Sequence, residues 1–145
     1  MHLAPQWASP VRDRPLNTSV IVVEDDAGMA AMIRTVLESA PEVATEIFSD
    51  EGSAQSRIKR DPPMLIILDM TLPYSRRLLD ALKHDTATRF VPVVALGSWQ
   101  TPTEAGDRNW AVDPGVDVIL HTPFDVEELL AIVAHHVPRK RESGA

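Results

Sequence analysis

Acidic residues follow two short apolar runs in this 145-residue chain. The first run is followed by Glu24, Asp25 and Asp26, and the second, at residues 64–68, is followed by Asp69. Like charges at close range repel and raise one another's pKa unless a cation offsets them. Because Mg²⁺ prefers oxygen ligands, these acids predict a magnesium site if the two runs are neighbours. The alternative is that Asp26 only caps a helix and the other two acids of the first group lie in solvent.

Asp69 is the candidate nucleophile of this group. A carboxylate at the end of a buried strand can attack phosphorus and form an aspartyl phosphate. Mg²⁺ would offset the charge of the attacking carboxylate and of the phosphoryl oxygens. The alternative is that Asp69 ends a strand and caps the turn that follows.

A parallel sheet is the element that would bring these acids together. Runs that are apolar on both faces are typical of buried parallel strands, and they occur at residues 20–23, 64–68, 91–96 and 116–120. Residues 43–48 alternate more and are typical of an edge strand. Because parallel strands end at one edge of their sheet, the acids that follow them would share that edge.

Amphipathic patterns separate these strands. Residues 29–37 and 126–137 carry apolar stripes at helical spacing, with Asp26 and Asp125 as the expected N-caps. Weaker helix candidates are residues 51–60, residues 77–84 and a segment that opens with the capping-box spacing Thr101-Pro102-Thr103-Glu104. The alternation predicts a (βα)5 α/β fold, a doubly wound parallel five-stranded sheet with helices on both faces.

Composition excludes several classes of protein. The chain contains no cysteine, which excludes a disulfide scaffold, an iron–sulfur cluster and thiol catalysis. Its net charge of -7 argues against non-specific nucleic-acid binding. No apolar run reaches the ~18 residues of a membrane span, and the N-terminus lacks the apolar core of a secretory signal, so we expect a cytoplasmic protein. We expect one domain at residues 19–137, between a disordered arm at 1–18 and a tail at 138–145.

Residues 22–26, 65–73 and 91–96, together with the segment from Gly115 to Phe124, stand in a joint register that is more specific than any one of them. In this register the chain resembles the receiver domain of two-component response regulators. The resemblance implies a flavodoxin-like strand order, 2-1-3-4-5, and a signalling module rather than an enzyme. Its phosphate would come from a sensor histidine kinase or a His-containing phosphotransfer protein.

The resemblance also assigns roles to individual residues. Asp69 matches the phosphoacceptor of the family. Glu24 and Asp25 match the acidic pair that holds Mg²⁺ together with Asp69, and the main-chain carbonyl of Thr71 matches a further metal ligand. The phosphorylated state would change the surface formed by the fourth helix, the fifth strand and the fifth helix of the predicted series.

Three positions depart from the family where the phosphoryl group and its switch would lie. Gly97 stands where the family has Ser or Thr at the end of the fourth strand, and Ser98 follows one residue later. Thr122 replaces the Lys that precedes the proline after the fifth strand, and Ile119 replaces the switch aromatic. Because a cation or hydroxyl at the phosphoryl oxygens stabilises the transition state, we expect slower phosphotransfer, or switching that is uncoupled from it.

Basic residues offer little compensation for the missing lysine. The three lysines are Lys59, Lys83 and Lys140, so no lysine lies between the last two. Arg76 or Arg77, in the shortened connection after the third strand, could turn toward the pocket and restore a positive charge. The alternative is that both arginines are solvated.

Three functions compete at this point. The first is an atypical stand-alone receiver that takes part in a phosphorelay and acts on a downstream protein, with no membrane or nucleic-acid partner and with a homodimer left open. The second is a protein-binding module that works without phosphorylation. The third is a phosphatase of the haloacid-dehalogenase type. That class has a second Asp at the position of Thr71, so Thr71 argues against this function.

Overall fold

The computed structural model describes residues 18–98 and 113–138. Five parallel strands form one sheet in the order β2-β1-β3-β4-β5. They are β1 (Ser19–Val23), β2 (Ala44–Phe48), β3 (Leu65–Asp69), β4 (Val93–Gly97) and β5 (Val118–His121). The helices among the described residues are α1 (Ala27–Glu38), α2 (Glu51–Arg60), α3 (Ser75–His84) and α4 (Val126–His136). The doubly wound fold and its strand order are therefore confirmed.

Burial on both faces explains the continuous apolar runs. Strands β1, β3 and β4 are buried along their whole length. Along β1, Ile21 and Val23 pack into one core with residues of α2 and α3, whereas Val20 and Val22 pack into a second core with residues of α1 and α4. A strand with a core on each face must be apolar at successive positions, because neighbouring side chains point to opposite faces.

The element ends differ from the sequence pattern in a few places. β4 and β5 each begin two residues later than their apolar runs, because Val91 and Val116 donate main-chain hydrogen bonds within turns. Asp26 caps α1 as predicted by accepting from the amide of Gly28 at 3.2 Å, whereas Asp125 precedes α4 without a side-chain cap. Helix α3 begins at Ser75, two residues earlier than predicted.

Some predictions fall on other parts of the chain. The predicted arm up to residue 17, the helix candidate that opens at Thr101 and the tail from residue 139 lie outside the described residues. In the part of the chain that is described, no helix combines the length and the apolar character needed to cross a bilayer.

Lys83 ties helix α3 to the amino ends of β4 and β5. Its Nζ donates to the carbonyls of Val91 at 2.9 Å and Arg89 at 3.2 Å, and it lies 3.1 Å from Oδ2 of Asp117. The same oxygen of Asp117 accepts from the amide of Val93 at 2.8 Å. Lys83 therefore lies at the edge of the sheet opposite to the strand-end acids.

We expect Lys83→Met to lower the free energy of unfolding by about 1–2 kcal/mol, because three acceptors, one of them in a part-buried bond, lose a charged donor. Urea unfolding followed by circular dichroism measures this change. Lys59→Met is the matched control, since the Nζ of Lys59 lies 3.4 Å from Asp85 and its side chain is 52% exposed. The control should cost no more than about 0.5 kcal/mol, and equal losses in the two variants would contradict this role of Lys83.

Candidate functional site

The pairing of β1 with β3 places three carboxylates side by side. Val23 and Leu68 are partners in the sheet, so Glu24, which follows β1, lies beside Asp69, which ends β3. One carboxylate oxygen from each of Glu24, Asp25 and Asp69 lies within 4.8 Å of the others. The expectation that these acids converge at the carboxyl edge of the sheet is confirmed.

An open pocket of about 260 Å³ surrounds these acids. Its lining residues are Glu24, Asp25, Asp26, Met29, Asp69, Thr71, Leu96, Gly97, Ser98 and Thr122. Gly97 and Thr122 meet there because β4 pairs with β5 and the amide of Thr122 donates to the carbonyl of Gly97 at 2.9 Å. Strand β4 ends at Gly97, so the exposed Ser98 lies beyond the strand and still lines the pocket. The acids predicted to hold the metal, Thr71, and the predicted phosphate-neighbouring positions Gly97, Ser98 and Thr122 therefore all line this pocket.

Glu24 is buried rather than solvated. It is 3% exposed, and its Oε2 accepts from the amide of Asp26 at 3.1 Å. Burial, followed by the neighbouring Asp69 carboxyl, raises the pKa of Glu24 from 4.5 to about 8. The interpretation of this residue as a solvated loop charge is wrong, because the connection after β1 remains covered. Asp25 is exposed, and Asp26 both caps α1 and lines the pocket.

Hydrogen bonds from the turn after β3 hold Asp69 in place. Its Oδ1 accepts from the amide of Thr71 at 2.8 Å and from the hydroxyl of Thr71 at 2.7 Å. The hydroxyl of Ser75 donates to the main-chain carbonyl of Asp69. The Asp69 residue is only 9% exposed. The carboxylate is thus both oriented and sheltered.

Ser75 is the residue of this turn that the sequence pattern did not indicate. It is 1% exposed and opens α3. A small polar residue just before the leucine stripe of a helix is a typical helix start, and that signal favours an earlier beginning of α3. Its bond to a carbonyl six residues earlier is not visible in a helical pattern.

The arginines near the pocket bind other partners. Arg77 donates two hydrogen bonds to the carboxylate of Glu51, at 2.6 and 2.8 Å. The guanidinium of Arg76 lies 4.0 Å from a carboxylate oxygen of Asp113. Neither arginine lines the pocket, so neither replaces the positive charge of the family's lysine there.

The donor set fits a hard divalent cation. Three carboxylates offer oxygen ligands within a few ångströms of each other, and one of them is buried next to like charge. Oxygen-only sites with one or two close carboxylates and room for water suit Mg²⁺ better than softer metals. The main-chain carbonyl of Thr71 as a further ligand stays a prediction.

A doubly wound parallel sheet with acids gathered beyond its carboxyl edge defines an α/β protein that binds its ligand at the strand ends. The chain belongs to the response regulator receiver domain family, whose model matches residues 20–134. It is therefore a receiver domain of the kind that acts in two-component signalling, and the resemblance inferred from the sequence is confirmed. Receiver domains of this family bind Mg²⁺ at an acidic pocket.

Curated relatives share this domain. The chain is 28% identical over 128 residues to response regulator Rre1 of Synechocystis, covering 87% of this chain and 54% of that protein. It is 32% identical over 120 residues to the DNA-binding dual master transcriptional regulator RpaA of Synechocystis, covering 79% of this chain and 46% of that protein. The chain thus spans about half the length of the curated relatives it matches.

Solved structures show the same fold. A putative response regulator from Chloroflexus aurantiacus superimposes with a TM-score of 0.71 at 23% identity, covering 86% of this chain and 100% of that one. The receiver domain of sensor histidine kinase PA1611 from Pseudomonas aeruginosa gives 0.71 at 24% identity, with coverages of 83% and 98%. That structure has a magnesium ion coordinated in its active site cleft.

We expect the metal-free protein to lose stability as the pH rises, because Glu24 is protonated in the folded state and ionised in the unfolded chain. The contribution of the protonated Glu24 to stability is fully present below about pH 4.5 and is lost as the pH rises through about 8. Between about pH 5 and pH 8.5 in EDTA, the free energy of unfolding of the wild type should fall by on the order of 1–3 kcal/mol. This fall should be absent in Glu24→Gln.

Urea unfolding at a series of pH values measures the slope of the free energy of unfolding against pH. Glu42→Gln, at an exposed glutamate outside this pocket, is the control and should keep the wild-type slope. Parallel slopes for the wild type and Glu24→Gln would contradict the raised pKa of Glu24.

Proposed function

We propose that this receiver accepts a phosphoryl group on Asp69 from a sensor histidine kinase or a His-containing phosphotransfer protein. In this proposal Glu24, Asp25, Asp69 and the main-chain carbonyl of Thr71 hold Mg²⁺. The observation that supports it is that carboxylate oxygens of Glu24, Asp25 and Asp69 lie within 4.8 Å of one another. Asp69 is also hydrogen-bonded by Thr71 and mostly buried. Membership of the receiver family and the magnesium in the PA1611 domain support the same assignment.

The chemistry requires little beyond position and charge. An oxygen of Asp69 forms a bond to phosphorus while the bond from phosphorus to the donor nitrogen breaks, and the imidazole keeps the electron pair. Bound Mg²⁺ would supply charge stabilisation for the phosphoryl oxygens. Asp69 is oriented for this attack by Thr71 and is only 9% exposed at the floor of the pocket.

We further propose that transfer is slow and switching reduced compared with family members that have the usual pocket. Gly97 and Thr122 line the pocket where the family carries a hydroxyl and a lysine, and the nearby arginines bind Glu51 and Asp113. Ile119 packs against the apolar core. It has no hydroxyl, so it cannot signal by the rotamer change of the family's switch aromatic. The chain's output in this proposal is contact with a downstream protein in the cytoplasm, with no catalysis on a further substrate.

Incubation with acetyl phosphate and Mg²⁺ should add one phosphoryl group to the protein, seen by intact-mass spectrometry. Asp69→Asn should abolish the addition because it removes the nucleophile. Asp80→Asn, at an exposed acid on α3, is the control and should leave the addition unchanged. Modification that persists in Asp69→Asn would contradict Asp69 as the acceptor.

Restoring the family's residues should accelerate the reaction. We expect the double variant Gly97→Ser, Thr122→Lys to take up phosphate from acetyl phosphate about tenfold faster, because donors at the phosphoryl oxygens stabilise the transition state. The rate of mass increase at fixed Mg²⁺ measures the effect. Ser56→Lys, an exposed change on α2, controls for net charge and should have no effect. An unchanged rate in the double variant would speak against impaired chemistry in this pocket.

The departures at Gly97 and Thr122 favour one second candidate, a binding module that works without phosphate. This candidate predicts that Asp69→Ala leaves the affinity for a partner protein unchanged. A large loss of affinity in that variant, measured by calorimetry, would favour the phosphoacceptor function.

A further inference from the structure

The acidic pocket carries more negative charge than one divalent cation balances. Among the described residues that line it, none is basic. The acids among them are Glu24, Asp25, Asp26 and Asp69. A phosphoryl group that arrives at Asp69 brings further negative charge to the same place. Transfer to Asp69 therefore leaves an excess of negative charge that a second, monovalent cation would offset.

The cations that follow β3 in the chain are held elsewhere. The guanidinium of Arg77 donates two hydrogen bonds to the carboxylate of Glu51, and that of Arg76 lies 4.0 Å from a carboxylate oxygen of Asp113. Lys83 binds at the opposite edge of the sheet. Because none of the described Lys and Arg side chains lines the pocket, the balancing charge has to come from outside the described residues.

Gly97 and Thr122 leave room for such a cation in one wall of the pocket. They lie side by side because β4 pairs with β5 and the amide of Thr122 donates to the carbonyl of Gly97 at 2.9 Å. Gly97 has no side chain, and that of Thr122 is short and uncharged. Ser98, which also lines the pocket, is exposed, so this wall adjoins the mouth of the pocket.

The volume of the pocket is sufficient for a guest side chain. It measures about 260 Å³, several times the roughly 30 Å³ that one water molecule occupies in the liquid. A metal ion, a phosphoryl group and the cationic end of a side chain fit in this space together. A side chain of another molecule can therefore enter beside Gly97 and Thr122 and approach the phosphoryl oxygens.

We propose that the wall formed by Gly97, Ser98 and Thr122 is a subsite for an organic cation with N–H donors, namely a lysine or arginine side chain of a partner protein. The hydroxyl oxygen of Thr122 and the phosphoryl oxygens are its acceptors. This inference rests on the proposed function of Asp69 as phosphoacceptor. It adds a partner that contributes to the chemistry, so that fast transfer is confined to the complex.

The cation acts through its charge and takes no part in the exchange of bonds. With acetyl phosphate as donor, an oxygen of Asp69 forms a bond to phosphorus as the bond from phosphorus to the acetate oxygen breaks. Acetate leaves with the electron pair of that bond, and the cation keeps all its protons. An N–H donor at the phosphoryl oxygens stabilises the charge that they carry in the transition state. A bound partner also excludes water, which strengthens this interaction.

Free ethylammonium is the probe for this subsite, because it carries the cationic end of a lysine side chain. Uptake of phosphate from acetyl phosphate at fixed Mg²⁺ is followed by intact mass. Saturating ethylammonium chloride should raise the rate about fivefold, in keeping with the net contribution of one hydrogen bond. Tetramethylammonium chloride at the same ionic strength has the charge without N–H donors and should leave the rate unchanged. Asp69→Asn should gain no phosphoryl group in either salt.

Variants of Thr122 locate the effect. Thr122→Lys places a tethered ammonium in the subsite and Thr122→Met fills it without charge, so ethylammonium should change either rate by less than about 1.5-fold. Ser56→Lys adds the same charge on the exposed surface of α2 and should keep the fivefold response. Melting temperatures establish that each variant is folded. A response in both Thr122 variants equal to that of the wild type would overturn the location of the subsite.

The concentration of ethylammonium that is needed separates two sources of the cation. A side chain presented by a bound partner has an effective concentration in the millimolar range, so half-maximal acceleration should require about 1 mM or more. A requirement below about 1 mM would indicate a free amine as the ligand and overturn the assignment to a partner protein. A wild type that takes up phosphate without responding to ethylammonium would overturn the subsite alone. Failure of the wild type to take up phosphate would overturn the proposed function, and the subsite with it.

Discussion

Electrostatic repulsion at one edge of the sheet is the constraint on which this structure depends. Strands β1 and β3 pair in parallel, and this pairing brings the acids that follow them to within 4.8 Å. The cost is visible in Glu24, whose pKa burial and Asp69 raise to about 8. Two apolar cores, one on each face of the sheet, stabilise a fold that places like charges together. Such an arrangement is unfavourable for stability alone and is well suited to binding a cation.

Two cations of α3 bind acids outside the acidic pocket. Arg77 is engaged by Glu51 and Lys83 by Asp117, so these cations of α3 are paired away from the acidic pocket. The carboxylate of Asp69 instead accepts from the neutral amide and hydroxyl of Thr71, and the hydroxyl of Ser75 donates to the main-chain carbonyl of Asp69. Neutral donors orient the carboxylate without cancelling its charge, which keeps it both nucleophilic and attractive to a divalent cation.

Short-range patterns predicted much of the fold and the identity of the site. The uniformly apolar runs indicated parallel strands because a strand with a core on each face cannot alternate. The acids after residues 23 and 68 were recognisable because they interrupt those runs abruptly. Ser75 escaped recognition because its role depends on a turn that folds back onto Asp69. The late beginning of β4 depends on the turn before it, in which the amide of Val91 donates to Thr88.

The sequence by itself determined that this chain is a doubly wound receiver with acids at its strand ends and with Gly97 and Thr122 in the register of the family's switch residues. Residue types and periodicity carry that information because side chains alternate along a strand and recur along a helix. Only the tertiary structure decided that Glu24 is buried, that Arg77 pairs with Glu51 and that Lys83 lies at the opposite edge. These outcomes depend on which distant segments meet, and a crossover helix separates such segments along the chain in a parallel sheet.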